Sequence, residues 1–486
     1  MNPLKKLFKQ TFIYGLATVL PRMLSFLLLP LYTEVLETAG FGEVSIIFAW
    51  FAIFNVILSY GMETAFFRFY TGSDNRKTVV TTSVISIVAT TFLFVVLAFL
   101  FKDSVAGFTN IEEKYIGYAI WILALDALVI VPFAWLRANE KPMRYALVKI
   151  SNVVINFGFN LFFLIWLPQL VEDSPDSSFN ALYRPNFEIS YIFISNLIAS
   201  GITLLLMLRL YVRRPYVFDK KLWLKMMDYA LPVLVAGIAF TVNEVFDKIM
   251  LSYLLPEDIA ESEIGKYSAC YRLAMFMTLF ATAFRMGIEP FFFSHSTSDK
   301  PQKAYAQITN YFVILGSIIL LGVVVFADVL KLIFVRDESY WEAMSIVPII
   351  VLASFCLGIY HNLSVWYKVT DRTKYGAYIS LIGAVLTIII NFAFIPYFGY
   401  MASAVATLVA YASMVILSFF FGRMYYPIPY NHRKIVFYLG FSILFSMISF
   451  YVFDRNLIIG SIFFIIFLGM VYRLESDKLK QIFLRK

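Results

Sequence analysis

Residues 78–101 read TVVTTSVISIVATTFLFVVLAFLF, without one charged side chain. Arg76 and Lys77 precede the run, and Lys102 and Asp103 follow it. A bilayer core about 30 Å thick is crossed by roughly 20 apolar residues in a helix, the form in which every backbone polar group is paired internally. The stretch therefore predicts a membrane-spanning helix with charged ends. Similar runs follow one another near 11–33, 41–65, 115–137, 147–170, 187–211, 226–254, 267–293, 305–330, 343–366, 375–396, 400–422, 433–453 and 457–473. Together they predict an all-α polytopic membrane protein of about fourteen transmembrane helices.

Composition agrees. Of 486 residues, 60% are hydrophobic and 15% charged, with 51 Phe and a mean hydropathy of +0.77. Soluble domains run at about 45–50% apolar and about 25% charged. This balance excludes a soluble enzyme, a disordered chain and a disulfide scaffold. Cys270 and Cys356 form no CxxC, and His295, His361 and His432 are scattered, so no metal or cofactor site is expected.

Charge distribution sets the orientation. With the first end inside, twenty-nine of the 40 Lys and Arg fall on inner segments, seven on outer ones and four within spans. Inner loops of membrane proteins are rich in Lys and Arg, so both termini are expected in the cytoplasm. The net charge of +8 is then a topology signal rather than a sign of nucleic-acid binding. Lys5, Lys6 and Lys9 precede the first run and no small-residue cleavage site follows it, which predicts a retained first helix.

An internal repeat organises the spans. Tyr14-Gly15-Leu16 is matched by Tyr229-Ala230-Leu231-Pro232, Gly42-Glu43-Val44-Ser45 by Gly265-Lys266-Tyr267-Ser268, and Asn156-Phe157-Gly158-Phe159 by Asn391-Phe392-Ala393-Phe394, in the same order. Each unit has six spans, so both enter from the same side and are related by an axis along the membrane normal. The expected organisation is an N-lobe over 1–212, a cytoplasmic linker over 213–225, a C-lobe over 226–424, and two further helices with a cytoplasmic tail over 425–486. Two parallel six-helix lobes would enclose a central cavity and rock to give alternating access.

Chemical motifs are missing. There is no G-x-x-x-x-G-K-S/T loop, no nucleophile elbow and no HExxH. A transporter driven by an ion, a potential or the substrate's own gradient is the reading left.

Ionisable side chains inside spans are costly and mark cavities, ion sites or partners. Arg22, Asp126, Glu244, Asp247, Lys248, Arg272, Arg285 and Glu289 fall inside the runs above. Glu244 with Lys248, and Arg285 with Glu289, have the i,i+4 spacing of self-neutralising pairs. Arg22 and Arg272 have no opposite charge one turn away and need a partner on another helix, water or an anionic ligand. Asp126, Asp247 and Glu244 are candidates for proton or sodium coupling, and the two aspartates are equally candidates for pairing with those arginines. Glu63, Arg68, Arg137 and Lys149 read as snorkelling groups at helix ends, and His361 as a packed histidine. Pro21, Pro30 and Pro232 are candidate gate or hinge positions, because Pro removes a helix hydrogen bond.

Four segments carry a family resemblance. They are Leu20-Pro21-Arg22-Met23-Leu24-Ser25-Phe26 running to Pro30-Leu31-Tyr32-Thr33; Tyr60-Gly61-Met62-Glu63 leading to Arg68-Phe69-Tyr70; Ala283-Phe284-Arg285 through Glu289-Pro290-Phe291-Phe292; and Asn391 through Pro396, Gly399 and Ala404-Val405-Ala406-Thr407. With fourteen spans and a repeat, the chain resembles the Wzx-type, RfbX-like polysaccharide flippases of the MOP exporter superfamily, which also holds lipid II flippases and multidrug antiporters. The resemblance implies a flippase, not an enzyme, moving undecaprenyl-pyrophosphate-linked oligosaccharide units of lipopolysaccharide O-antigen, capsule or exopolysaccharide between leaflets of a bacterial inner membrane. It implies pyrophosphate contacts for Arg22, Arg272 and Arg285, membrane lipids and the lipid-linked oligosaccharide as partners, and polysaccharide polymerase or assembly proteins nearby. A lipid II flippase, a cation-coupled multidrug antiporter and, more remotely, a membrane polymerase or ligase are the competing readings.

Overall fold

The computed structural model describes residues 3–174, 176, 178–212, 216–294 and 301–484. His295, Arg213, Arg214, Lys300, Arg485 and Lys486 lie outside them. The described residues form helices and connecting turns, without strands. Among the described residues, thirteen helices are long and apolar enough to cross a membrane.

The run that differs is 267–293. Its residues divide between the helices Glu257–Arg272 and Met275–Ser294, with tight turns at Leu273 and Ala274, whose N–H groups donate to the Cys270 and Tyr271 carbonyls. Neither Pro nor Gly stands at the break, and nothing in the local sequence explains it. The first run is also divided. Helix Pro3–Phe26 ends before a turn at Leu27–Leu28, and helix Leu29–Val35 follows. Pro30 occupies the first turn of that second helix, where a missing N–H costs nothing. Pro21 and Pro232 lie inside helices that continue past them.

The chain forms two compact units, Met1–Gly265 and Lys266–Lys486. The first takes in the long helix Lys220–Leu254, which packs on Thr38–Ser59 and Met62–Thr71. Two sequence motifs meet there. Tyr60 caps its helix in the left-handed region (φ 34) and Gly61 follows at φ 74. A Cβ on Gly61 would overlap the Ala230 carbonyl, and the Arg68 guanidinium lies 4.3 Å from the centre of the Tyr229 ring.

Loops of the first unit alternate between two ends. At one end Lys77, Lys141, Arg144 and Arg209 line a common cavity. At the other, Lys102 pairs with Glu113 at 2.8 Å and Asn110 donates to the Ser252 carbonyl at 3.1 Å. The helix Arg76–Leu100 connects the two ends.

In the second unit the helices Pro301–Val325 and Val347–Leu363 interlock. The Phe355 ring fills the notch at Gly316, and the Phe312 ring fills that at Gly358. Helices Lys374–Phe398 and Tyr400–Tyr425 are joined by a buried bond from Ser403 Oγ to Asn391 Oδ1 at 2.7 Å.

Candidate functional site: charges within the helices

A cavity of about 300 Å³ opens inside the first unit, lined by Asp126, Lys149, Asn152, Thr203, Tyr145 and Glu63 among others. Asp126 comes from the helix Glu113–Leu128 and accepts a hydrogen bond from Ser200 Oγ at 2.7 Å. Lys149 comes from the helix Pro142–Leu161. Its ammonium stands 4.5 Å from the centre of the Phe133 ring and is close enough to Asp126 for the two charges to interact. Asn152 donates to Thr203 Oγ1 at 2.9 Å beside them. Toward the mouth, Arg137 binds Glu63 at 2.6 Å, both half-exposed.

This corrects the reading of Lys149 as a snorkelling end group. It lies seven residues into its helix, about two turns deep, and helps line a polar cavity. A carboxylate and an ammonium facing such a cavity can hold a proton or a small cation, or exchange partners when one binds.

In the helix Lys220–Leu254, Asp247 is 3% exposed. Its carboxylate receives the adjacent Lys248 ammonium at 3.1 and 3.4 Å. Asp247 is therefore paired with its neighbour, a contact that one-turn spacing overlooks. Glu244 is exposed, and Asn243 donates to the Ala239 carbonyl at 3.0 Å.

In the second unit, Arg285 turns to His361, with Nη1 3.4 Å from Nε2. A guanidinium cannot accept, so Nε2 is the acceptor and a neutral His361 carries its proton on Nδ1. Glu289 receives the Lys368 ammonium at 2.6 Å. Arg285 and Glu289 thus bond to a neighbouring segment rather than to each other. His361 is a functional candidate that the sequence left as packing. Arg22, exposed on its helix, belongs to the first unit, and Arg272, half-buried at a helix end, to the second. Both have interaction partners. No group of three His, Cys, Asp or Glu among the described residues forms a metal site.

A bundle of this many apolar helices, with charged clefts let into it, is that of a multi-pass membrane protein. The sequence model of the family described as "Polysaccharide biosynthesis protein" matches residues 7–296, and the chain belongs to that family. The MatE family model matches residues 232–393. No curated protein sequence matches. The fold is similar to that of a lipid II flippase, MurJ, in an inward closed conformation, at a TM-score of 0.75 and 15% identity, covering 95% of this chain and 99% of the other. It is also similar to an inward-facing multidrug resistance MATE family transporter of the MOP superfamily, at a TM-score of 0.65 and 14% identity, covering 83% and 94%. A MOP superfamily transporter from Pyrococcus furiosus aligns at a TM-score of 0.57 and 15% identity, covering 85% and 94%. The fold is that of the MOP transporters.

Proposed function

We propose that the chain flips undecaprenyl-pyrophosphate-linked oligosaccharide units, of the O-antigen, capsule or exopolysaccharide kind, from the cytoplasmic to the periplasmic leaflet of a bacterial inner membrane. The carrying observation is membership of the polysaccharide biosynthesis family over residues 7–296 in a chain whose described residues form thirteen spanning-length helices. Both termini face the cytoplasm in this reading, and a polysaccharide polymerase receives the product.

The physics of the cargo supports it. A pyrophosphate and its sugars cannot cross hydrocarbon unaided, because each buried polar group without a partner costs kcal/mol. Arg22, Arg272 and Arg285 supply planar forks of donors suited to phosphate oxygens. An anion leaving an inside-negative cell gains about 2.3 kcal/mol per charge per 100 mV. Movement is alternating access of the two repeat-related lobes, a proposal that rests on the sequence repeat. Coupling to H⁺ or Na⁺ is assigned to Asp126, with Lys149 as its counter-charge, and to Asp247 and Glu244 in the helix Lys220–Leu254.

The deciding experiment is leaflet-resolved flipping of a defined lipid-linked glycan in liposomes holding the purified chain. Transfer above protein-free vesicles supports the reading, and its absence under every imposed gradient removes it. The MatE match over residues 232–393 favours a second reading, a cation-coupled multidrug antiporter. Uptake of a cationic dye, without glycan flipping, would select it. Lipid II in the same assay distinguishes the flippase readings from each other.

A further inference from the structure

A second cavity of the first unit, about 540 Å³, lies at the basic end of the bundle. Its rim carries Lys77 from the start of the helix Arg76–Leu100, Lys141 and Arg144 from the start of Pro142–Leu161, and Arg209 from just beyond Glu188–Met207. Trp135 and Leu210 contribute to an apolar floor, and no lining residue is acidic. All four basic side chains are exposed, and among the described residues none is in an ion pair. Lys141 lies 4.6 Å from the centre of the Trp135 ring.

Three separated segments bring four like charges to one concavity. Like charges repel at close range, and the positive-inside rule requires only that they sit on one side of the membrane, with no need to converge. Convergence over an apolar floor is the arrangement that receives an anion attached to something greasy. The cavity also sits at the ends of spanning helices, where the chain would leave the hydrocarbon for the headgroups, and basic pockets between helices at that level bind phosphate heads. Leu205 and Leu208, just before Arg209 in the chain, are exposed and offer acyl chains an apolar surface near the cavity.

We propose that this cavity binds the phosphate of an anionic membrane lipid's headgroup, at a site separate from Asp126 and from the in-span arginines. The proposal does not depend on which cargo the protein moves. The two sources of the phosphate, lipid and free anion, are separable by experiment.

Lipid binding is measured on the full chain in detergent by native mass spectrometry, with phosphatidylglycerol, phosphatidylcholine or sodium pyrophosphate added. Phosphatidylglycerol is expected to bind at least tenfold more tightly than phosphatidylcholine. The triple variant Lys77→Gln/Arg144→Gln/Arg209→Gln should lose that preference. Removing equal charge elsewhere, by Lys303→Gln/Lys374→Gln/Arg433→Gln, should change it less than twofold. The melting temperature of the triple variant establishes that it folds, and if it does not, Lys77→Gln alone should lower the preference at least twofold. An unchanged preference in the folded variants, or an equal loss with the distant triple, would overturn the site. Saturable pyrophosphate binding that the triple variant abolishes, without any lipid preference, would overturn the lipid assignment.

Discussion

Gly42 and Gly265 meet in a reciprocal helix crossing within the first unit. A Cβ on Gly42 would overlap the carbonyl oxygen of Glu261, and one on Gly265 would overlap that of Thr38, each one turn earlier on the opposite helix. Alongside, the Thr38 and Ser262 hydroxyls are 2.8 Å apart and hydrogen-bonded. Small residues let membrane helices approach to backbone contact, and hydroxyls bridge them there. These are the two glycines that the sequence repeat aligns.

Alanine at either glycine is therefore expected to force the helices apart. Gly42→Ala or Gly265→Ala should cost about 1–3 kcal/mol, the usual range for overpacking, read as a lower melting temperature in detergent. Gly117 is the control, since a Cβ there meets nothing within 4 Å. Gly117→Ala should be neutral or slightly stabilising, because Ala is the better helix former. Equal melting temperatures for all three variants would contradict the crossing.

Asp337 offers a test outside the spans. It caps the helix Glu338–Ile346, accepting from the Ser339 N–H at 2.7 Å. Hydrogen bonds from the Ser339 side chain and backbone hold its carboxyl below the usual range. A depressed pKa stabilises the fold above the unfolded-state value, near 3.9, and that stability is lost as the pH falls through the folded value. Asp337→Ala should cost about 1 kcal/mol or less at neutral pH for this exposed cap. Asp337→Asn should keep most of the cap and flatten the acid limb of a melting-temperature profile, an effect read against wild type between about pH 5 and 2.

Much of the fold is legible in the sequence because lipid imposes one simple demand, an apolar helix of a set length. Residues 78–101 satisfy it so fully that their helix could be written down with its charged ends. The break after Arg272 is invisible to the same reasoning, because hydropathy does not register where a hydrogen-bond ladder is interrupted. Site residues were harder. Their membership of a span is legible, but their partners are set by tertiary packing. Arg285 finds His361 on another helix, Asp247 finds the residue beside it, and depth along a helix, which decides whether Lys149 snorkels or faces inward, depends on where the helix starts. Gly42 and Gly265 could be matched as repeat positions, yet nothing in either segment says that they touch.

The Asp126–Lys149 cavity predicts an asymmetry between single and double variants. Lys149→Met leaves Asp126 in a recessed site without its counter-charge, and Asp126→Asn leaves the ammonium likewise, so each is expected to cost about 1–3 kcal/mol. The double variant Asp126→Asn/Lys149→Met removes both charges and should recover at least half of the single-variant loss in melting temperature. If Asp126 is also the coupling group, both the single Asp126→Asn and the double variant transport at a rate that no longer responds to an uncoupler. An unchanged response would make the pair structural, and additive single-variant losses would show that the two charges do not interact.

Arginine substitutions test the pyrophosphate reading most directly. Arg22→Ala and Arg272→Ala should each reduce glycan export at least tenfold while the protein still inserts, since a charge-assisted bond to phosphate contributes about 1.5–3 kcal/mol. Arg22→Lys keeps the charge but loses the two-pronged geometry, so it should fall between alanine and wild type. Arg285 carries an internal control. His361→Ala removes the imidazole it contacts at 3.4 Å and leaves the guanidinium in place, so it should weaken export less than Arg285→Ala. If His361→Ala is as damaging as Arg285→Ala, the guanidinium works through the imidazole as a structural pair. If Arg22→Ala and Arg272→Ala both export normally, the cationic route for a phosphate head is wrong, whatever the family membership says.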